Sequence, residues 1–162
     1  VRDDQINAQV PYEVGGRSSV TLRVRYRGQN SRARTVQIVP AAPSIVTIDG
    51  DITRAVILNQ DGSVNSAANP ARAGEIVVFF ATGEGATNPE GITGRPAAPP
   101  LPVPAAPVVV RIGGAVAQTR YAGAAPGFVG LLQVNAVVPP VAPGRVPVVL
   151  SIGDRSSPMT VG

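Results

Sequence analysis

The stretch SVTLRVRYR, residues 19–27, alternates apolar and polar residues without interruption. The apolar set is Val20, Leu22, Val24 and Tyr26, and the polar set is Thr21, Arg23, Arg25 and Arg27. Because side chains of a β-strand point alternately to opposite faces, this stretch predicts a strand with one face on a core and the other in solvent.

Glycine and proline divide the rest of the chain into short runs. The sequence has 18 Gly and 17 Pro in 162 residues, and the longest runs free of both, such as residues 17–27, have 11 residues. Helices have little room between these breaks. Further strands are predicted at 33–39, 55–59, 75–81, 108–112, 116–122, 131–138 and 146–152. Short strands separated by turn residues predict an all-β fold, an Ig-like β-sandwich.

The chain repeats part of itself. QINAQVP (5–11) returns as QVNAVVP (133–139), and RVRYRGQNS (23–31) parallels VLSIGDRSS (149–157). The pair Gly16-Arg17 also matches Gly144-Arg145, and RTVQ (34–37) parallels MTVG (159–162). Repetition on this scale indicates tandem modules. Residues 41–132 have no counterpart before the first copy, so we expect residues 1–40 to be the C-terminal strands of an incomplete Ig-like module and 41–162 to be one complete Ig-like β-sandwich.

The longer module also carries a family resemblance. ILNQDGSVNSAANPARAGEIVVFFATGEGATNPEGITGRPA (57–97) and VVVRIGGAVAQTRYAGAAPGFVGLLQVNAVVP (108–139) resemble the uncharacterised Solibacter-type C-terminal domain family of exported acidobacterial proteins. The resemblance implies an Ig-like or IPT-like sandwich and an extracellular or cell-surface location. It implies no enzymatic activity and supplies no catalytic residue.

Composition removes most catalytic chemistry. The chain has no His and no Cys, and arginine supplies all 14 cations. Histidine bases, thiolate nucleophiles and lysine Schiff bases are therefore excluded. A pair of acid and base carboxylates stays formally open, but almost all candidates lie in turn sequence and aromatic platforms are scarce. Those candidates are Asp49, Asp51, Asp61, Glu75, Glu84 and Glu90. We expect a protein that is not an enzyme and has no cofactor.

Three local motifs have a structural and a functional interpretation. GEGATNPEG (83–91) follows a strand, but Pro89 and Gly91 stand where a phosphate-binding helix would begin, which favours a loop. IDGDITR (48–54) and NQDGSVN (59–65) lack the spacing of an EF-hand, which favours turns over a weak calcium site at Asp49, Asp51 or Asp61. GRPAAPPLPVPAAP (94–107) favours a stiff connection over a polyproline ligand.

The repeated phrase carries a Gln-x-Asn pair followed by proline. The repeat signature is Gln5, Asn7 and Pro11 in the first copy and Gln133, Asn135 and Pro139 in the second. Two amides on one strand face could bind a ligand, but their presence in both copies favours a structural task, the pairing of loop backbone groups.

Positive charge is concentrated in the first module. The net charge is +4; residues 1–40 contain seven Arg and three carboxylates, whereas 41–162 contain seven of each. The candidate residues for an anionic partner are Arg17, Arg23, Arg25, Arg27, Arg32 and Arg34. They suit an acidic polysaccharide, an anionic cell surface or an acidic neighbouring subunit, or serve only as a solvated face that opposes aggregation. We expect no nucleic-acid partner, because aromatic residues for stacking are few, and no membrane span.

An incomplete module would expose apolar residues such as Leu22, Val24 and Val36 and leave strand edges unpaired. They would pack on the second module, or a neighbouring subunit would supply the missing strands and form a head-to-tail polymer. We therefore expect a structural, adhesive or filament-forming protein that associates with itself or with adjacent Ig-like modules, and a start at Val1 that is internal to a longer chain. The alternative is a carbohydrate-binding module for acidic polysaccharide.

Overall fold

The computed structural model describes residues 6–161, and within this range its regular elements are β-strands and two 3₁₀ turns, Tyr12–Val14 and Ile48–Gly50. The strands are β1 (Ser19–Leu22), β2 (Arg25–Tyr26), β3 (Gln29–Asn30), β4 (Arg34–Gln37), β5 (Ser44–Ile45), β6 (Ile57–Leu58), β7 (Ile76–Thr82), β8 (Thr87–Asn88), β9 (Val103–Pro104), β10 (Val108–Ile112), β11 (Ala115–Ala124), β12 (Leu132–Val137), β13 (Pro147–Ile152), β14 (Arg155–Ser156) and β15 (Thr160–Val161). The all-β prediction is confirmed. None of these elements is a helix long and apolar enough to cross a bilayer.

One antiparallel sheet system contains most of the strands. Its order is β14-β13-β10-β11-β12-β7-β5, with β15 also on β13 and β6 also on β7. β11 changes partner along its length: it pairs with β10 up to Ala117 and with β12 from Gln118, with a register shift between Thr119 and Tyr121. This bulge lets one strand belong to both halves of the sheet system, as in a β-sandwich.

The core lies between these two halves. Alternate residues of β7, β10, β12 and β13 point inward, and the largest side chains that are fully enclosed are Phe79, Leu132, Leu150, Ile152, Val110 and Val134. Burial of this kind stabilises a fold by roughly 1.5–3 kcal/mol per large apolar side chain. All five of the predicted strands between 75 and 152 are found, 108–112 with the predicted bounds and the others with bounds that shift by at most two residues, whereas the strand predicted at 55–59 shortens to β6.

The described residues before Ala41 contribute no buried side chain. Among residues 6–40 every side chain is exposed or half-buried, and burial begins at Ala41. β1 pairs with β4, and β2 pairs with β3, so residues 19–37 form a hairpin, called here the N-terminal hairpin. The strand predicted at 19–27 is interrupted at Arg23 and Val24, and the strand predicted at 33–39 shortens to β4.

The proline-rich segment 94–107 crosses from one half of the sheet system to the other as an ordered connection. Ala97 N donates to Phe128 O (2.9 Å), and Ala97 O accepts from Gly127 N (2.8 Å). Further along, Ala105 N donates to Ala86 O (2.8 Å), and β9 pairs with β8. The bond to Ala86 and the pairing with β8 place this segment beside the loop 83–94.

Candidate functional site

Tyr12 joins the first part of the chain to the second. Its hydroxyl donates to Glu84 Oε1 at 2.9 Å, and Glu84 is only 7% exposed. The phenol ring lies against Gly91, where an added Cβ would come within 2.5 Å of the ring. Position 91 therefore needs glycine for the Tyr12 ring to keep this contact.

Thr93 and Gly94 extend this contact. Thr93 Oγ1 accepts from Tyr12 N (3.0 Å) and donates to Glu13 Oε2 (2.7 Å), and this bond lowers the pKa of Glu13. Gly94 N donates to Gln9 Oε1 at 2.7 Å. Residues 9–13 are thus bound to the loop 83–94 by four hydrogen bonds in all, counting that of Tyr12 to Glu84.

The same loop also holds the chain where the hairpin ends. Gly83 O accepts from Ala42 N at 2.9 Å. Gly83 and Gly85 both have left-handed backbone angles (φ +80° and +76°), and a Cβ at either would overlap the carbonyl oxygen of Ala42 or Pro40. The glycines on both sides of Glu84 thus allow the backbone of residues 40–42 to approach closely. Loop 83–94 therefore binds the chain both before and after the N-terminal hairpin.

Glu84 is the electrostatically unusual residue of this junction. Among the described residues its Oε2 has no hydrogen-bond partner, although that atom is buried. Burial raises the pKa of Glu84 above its ordinary value, and the hydrogen bond from Tyr12 acts in the opposite direction. Burial, followed by the negative charge of Glu84, raises the pKa of Tyr12 to about 12. The phenol therefore stays protonated and donating at every physiological pH.

A cavity of about 330 Å³ opens beside this pair. Its walls include Ile92, Phe128, Arg95 and prolines of the proline-rich segment. A carboxyl group with a raised pKa can release a proton, but the neighbouring phenol holds its own proton too tightly to act as a base near neutral pH. The arrangement is suited to holding two chain segments together and to admitting a small polar group.

The candidate arginines, apart from Arg17, lie within the exposed N-terminal hairpin, and those on its strands occupy both of its faces. Arg25 lies on β2 beside Tyr26 and so points to the face opposite that ring, whereas Arg23 lies at the interruption between β1 and β2. Arg34 pairs directly with Leu22 and so shares the apolar face. Arg27 has a left-handed backbone (φ 48°), and its guanidinium lies 5.2 Å from the centre of the Tyr26 ring. Of the ladder expected for Arg23, Arg25 and Arg27, only Arg25 therefore lies on a strand.

These arginines are free of ion pairs within residues 6–161, as are Arg17, which precedes the hairpin, and Arg32, which lies between β3 and β4. The ion pair found in that range joins Arg155 Nε to Asp154 Oδ1 at 3.7 Å. Unpaired guanidinium groups on an exposed hairpin remain able to bind an external anion.

The opposite face of the N-terminal hairpin is apolar and uncovered. Leu22 is 54% exposed, Val24 38% and Tyr26 68%. Val36, which pairs with Val20, is also exposed. Apolar side chains clustered in this way are the usual mark of a surface that meets another protein.

The two copies of the repeat signature have different environments. Gln5 lies outside the described residues, and Asn7 and Pro11 lie in an exposed segment without strand structure. Gln133 and Asn135 lie on β12, where Gln133 Nε2 donates to Asn135 Oδ1 at 3.0 Å. Pro139 is buried, whereas Pro11 is exposed. The bond found joins the two amides to each other, so their pairing with loop backbone remains a prediction.

The candidate calcium residues close separate turns. Asp51 Oδ1 accepts from Thr53 N (2.9 Å) and Thr53 Oγ1 (2.7 Å), and Asp61 Oδ1 accepts from Ser63 N (2.9 Å) and Ser63 Oγ (2.5 Å). Asp49 has a left-handed backbone (φ 55°). In the described part of the chain no three acidic side chains come together as a metal site.

A second polar cluster, which the sequence did not single out, surrounds Asn59. Asn59 Nδ2 donates to Asn69 O (3.0 Å), and Asn59 Oδ1 accepts from Asn65 Nδ2 (2.8 Å). Asn69 Nδ2 in turn donates to Ser63 Oγ (2.7 Å). Because these amides satisfy one another, the cluster fixes the shape of the loop 59–69 beneath an open groove.

Comparison with known proteins gave no match: no protein-family model, no curated protein and no solved structure is significantly similar to this chain. The geometry of the N-terminal hairpin and of loop 83–94 is therefore the basis for a functional proposal. The sequence did not indicate the role of Tyr12, and it named Glu84 only among the candidate acid and base carboxylates in turn sequence. No local signal indicates the role of Glu84, because an acidic residue between two glycines, here Gly83 and Gly85, is typical of an exposed turn.

Proposed function

We propose that this protein is a non-catalytic, extracellular structural module of the Ig-like type, adhesive or filament-forming, that is joined to neighbouring subunits by β-strand complementation. The observation that carries the proposal is the N-terminal hairpin: it is ordered, lies outside the core and exposes the apolar side chains of Leu22, Val24 and Tyr26. Surfaces of this kind gain free energy when another chain covers them. The family resemblance supports the extracellular location.

The assembly state tests the proposal. We expect protein from its source to form regular fibres or larger complexes by negative-stain electron microscopy, and the purified chain to associate by light scattering. Val24→Asp should abolish association, because it places a charge on the apolar face. Thr21→Asp adds the same charge to the opposite face and should leave association intact. A monomer at all concentrations, or equal loss in both variants, would overturn the proposal.

The second candidate function is binding of acidic polysaccharide. It is favoured by the exposed arginines, which make no ion pair with the described residues. We expect retention on an immobilised acidic polysaccharide that decreases with salt and is lost in Arg23→Ala/Arg25→Ala. Arg111→Ala/Arg120→Ala is the matched control, because it removes the same charge from another part of the chain. Equal retention of both double variants would reject this function.

A further inference from the structure

The N-terminal hairpin has a counterpart at the other end of the chain. Each residue corresponds to the one 126 positions later (148 − 22 = 126): Leu22 pairs with Arg34 as Val148 pairs with Thr160. The strand pairs next to the two turns agree as well, since Tyr26 pairs with Gln29 and Ile152 pairs with Arg155. Residues 147–161 are therefore the same hairpin, called here the C-terminal hairpin.

The side-chain hydrogen bonds agree too. Val24 N donates to Ser31 Oγ (3.0 Å), and Leu150 N donates to Ser157 Oγ (3.1 Å). Each serine N also donates to the carbonyl of the same partner, at 2.8 Å in the first hairpin and 2.7 Å in the second. The two hairpins thus share one backbone design down to a single serine.

The C-terminal hairpin has a third strand on its other edge. β10 pairs with β13 in the register Val108↔Ile152, Val110↔Leu150 and Ile112↔Val148. The three β13 side chains, Val148, Leu150 and Ile152, are 2%, 0% and 1% exposed. Their counterparts on the N-terminal hairpin are Leu22, Val24 and Tyr26, which are at least 38% exposed. The same face is covered in one hairpin and open in the other.

The interruption of the N-terminal strand lies where β10 is missing. β13 is continuous through Val149 and Leu150, which pair with Arg111 and Val110 of β10. The counterparts of Val149 and Leu150 are Arg23 and Val24, the residues that separate β1 from β2. A neighbouring strand on this edge would restore the ladder.

Backbone groups on this edge are already directed outward. In both hairpins the serine, Ser31 or Ser157, forms hydrogen bonds with both the backbone N–H and the backbone C=O of its partner, Val24 or Leu150. In an antiparallel ladder the residues on either side point their N–H and C=O to the opposite edge. The backbone groups of Arg23 and Arg25 therefore face the open edge, as those of Val149 and Ser151 face β10.

We infer that the open edge at residues 22–26 binds an antiparallel β-strand from another protein module, with apolar residues at the positions that Val108, Val110 and Ile112 hold in β10. Apolar residues of that strand lie opposite Leu22, Val24 and Tyr26. The chain's own β10 is held between β11 and β13, so it cannot serve this edge without leaving its sheet. The inference rests on the proposed structural function, to which it adds the site, the direction and the chemistry of the incoming strand.

The test uses the complete chain and a capped peptide of residues 107–113. We expect the peptide to bind with 1:1 stoichiometry by calorimetry and to protect the amides of residues 22–26 from hydrogen exchange. The Val110→Asp peptide should bind at least about tenfold more weakly, because it places a carboxylate on the apolar face. The Val109→Asp peptide adds the same charge on the outward side and should bind within a few-fold of the original.

Variants of the protein locate the edge. Val24→Asp should lose peptide binding, whereas Thr21→Asp should keep it. If no peptide binds, or if the two Asp peptides bind equally, the inference is wrong. A dimer that forms through this edge and persists in excess peptide would show that the edge is covered by something other than an added strand, which would also overturn the inference.

The outcomes separate this inference from the proposed function. Register-specific peptide binding to a protein that stays monomeric supports the inference and rejects self-assembly. Fibres that form without peptide binding, and that Val24→Asp abolishes while Thr21→Asp keeps them, support the structural function and reject the inference.

Discussion

The hydrogen bond between Tyr12 and Glu84 couples the titration of two groups. The pKa of Tyr12 is raised to about 12, first by burial and then by the negative charge of Glu84. We predict that Glu84→Gln lowers the pKa of Tyr12 but leaves it above the ordinary value of 10.0, because burial remains. Spectrophotometric titration of tyrosinate absorbance measures this shift, and Tyr12→Phe identifies the step that belongs to Tyr12. An unchanged titration curve in Glu84→Gln would contradict the prediction.

The buried carboxyl of Glu84 also makes stability depend on pH. Burial raises the pKa of Glu84 above the ordinary 4.5, so the folded protein favours the protonated carboxyl. The stability that this protonated form contributes is fully present below pH 4.5 and is lost as the pH rises through the raised pKa. We predict that the free energy of unfolding of Glu84→Gln declines less over this range than that of the wild type. Urea unfolding at a series of pH values tests it, with Glu90→Gln as the control. Parallel curves for Glu84→Gln and the wild type would contradict it.

The role of Glu84 was beyond what local sequence could show. An acidic residue between two glycines is typical of an exposed turn. Glu84 is buried because Pro40 packs closely beside Gly85 and because Tyr12 contacts Glu84, and both residues are distant in sequence. In contrast, Asp51 and Asp61 close local turns with the residues two positions later, and their turn interpretation needs only neighbouring sequence.

At the scale of the element, the two hairpins contain the same serine hydrogen bond, exposed in the N-terminal hairpin and buried in the C-terminal hairpin. Ser157 is 7% exposed and its partner Leu150 is fully buried, whereas Ser31 and Val24 are exposed. We predict that Ser157→Ala costs about 1–3 kcal/mol of unfolding free energy, because the Leu150 N–H loses its acceptor away from water. Ser31→Ala should change it by less than about 0.5 kcal/mol, since water replaces the hydroxyl. Urea unfolding of both variants measures the difference, and equal costs would contradict the assignment.

The element scale also shows which features the sequence could predict. Alternation over residues 19–27 and the internal repeat indicate the hairpin, since both depend on local pattern. The interruption at Arg23 could not be predicted, because it depends on a partner strand. The sequence also aligned RTVQ (34–37) with MTVG (159–162), whereas strand pairing makes Arg34 the counterpart of Thr160, one residue further along.

At the scale of the whole molecule, we expect the unfolding free energy to depend on the core and hardly at all on the N-terminal hairpin. All buried apolar residues among those described lie from Ala41 onward. We predict that Leu150→Ala lowers the unfolding free energy by about 2–5 kcal/mol, because it leaves a cavity in the core. The equivalent change Val24→Ala should alter it by less than about 0.5 kcal/mol. Thermal and urea unfolding provide the measurement, and a large loss in Val24→Ala would show that the hairpin face is covered.

The binding of both ends of the hairpin to one loop has a mechanical consequence. Tyr12 and Ala42 are both attached to residues 83–94, so the chain leaves this loop, forms the hairpin and returns to the same place. A pull on the chain from the amino-terminal side therefore passes from Tyr12 directly into the core domain, and the hairpin carries no tension until that attachment breaks. A subunit interface built on the hairpin would thus be protected from force along the polypeptide.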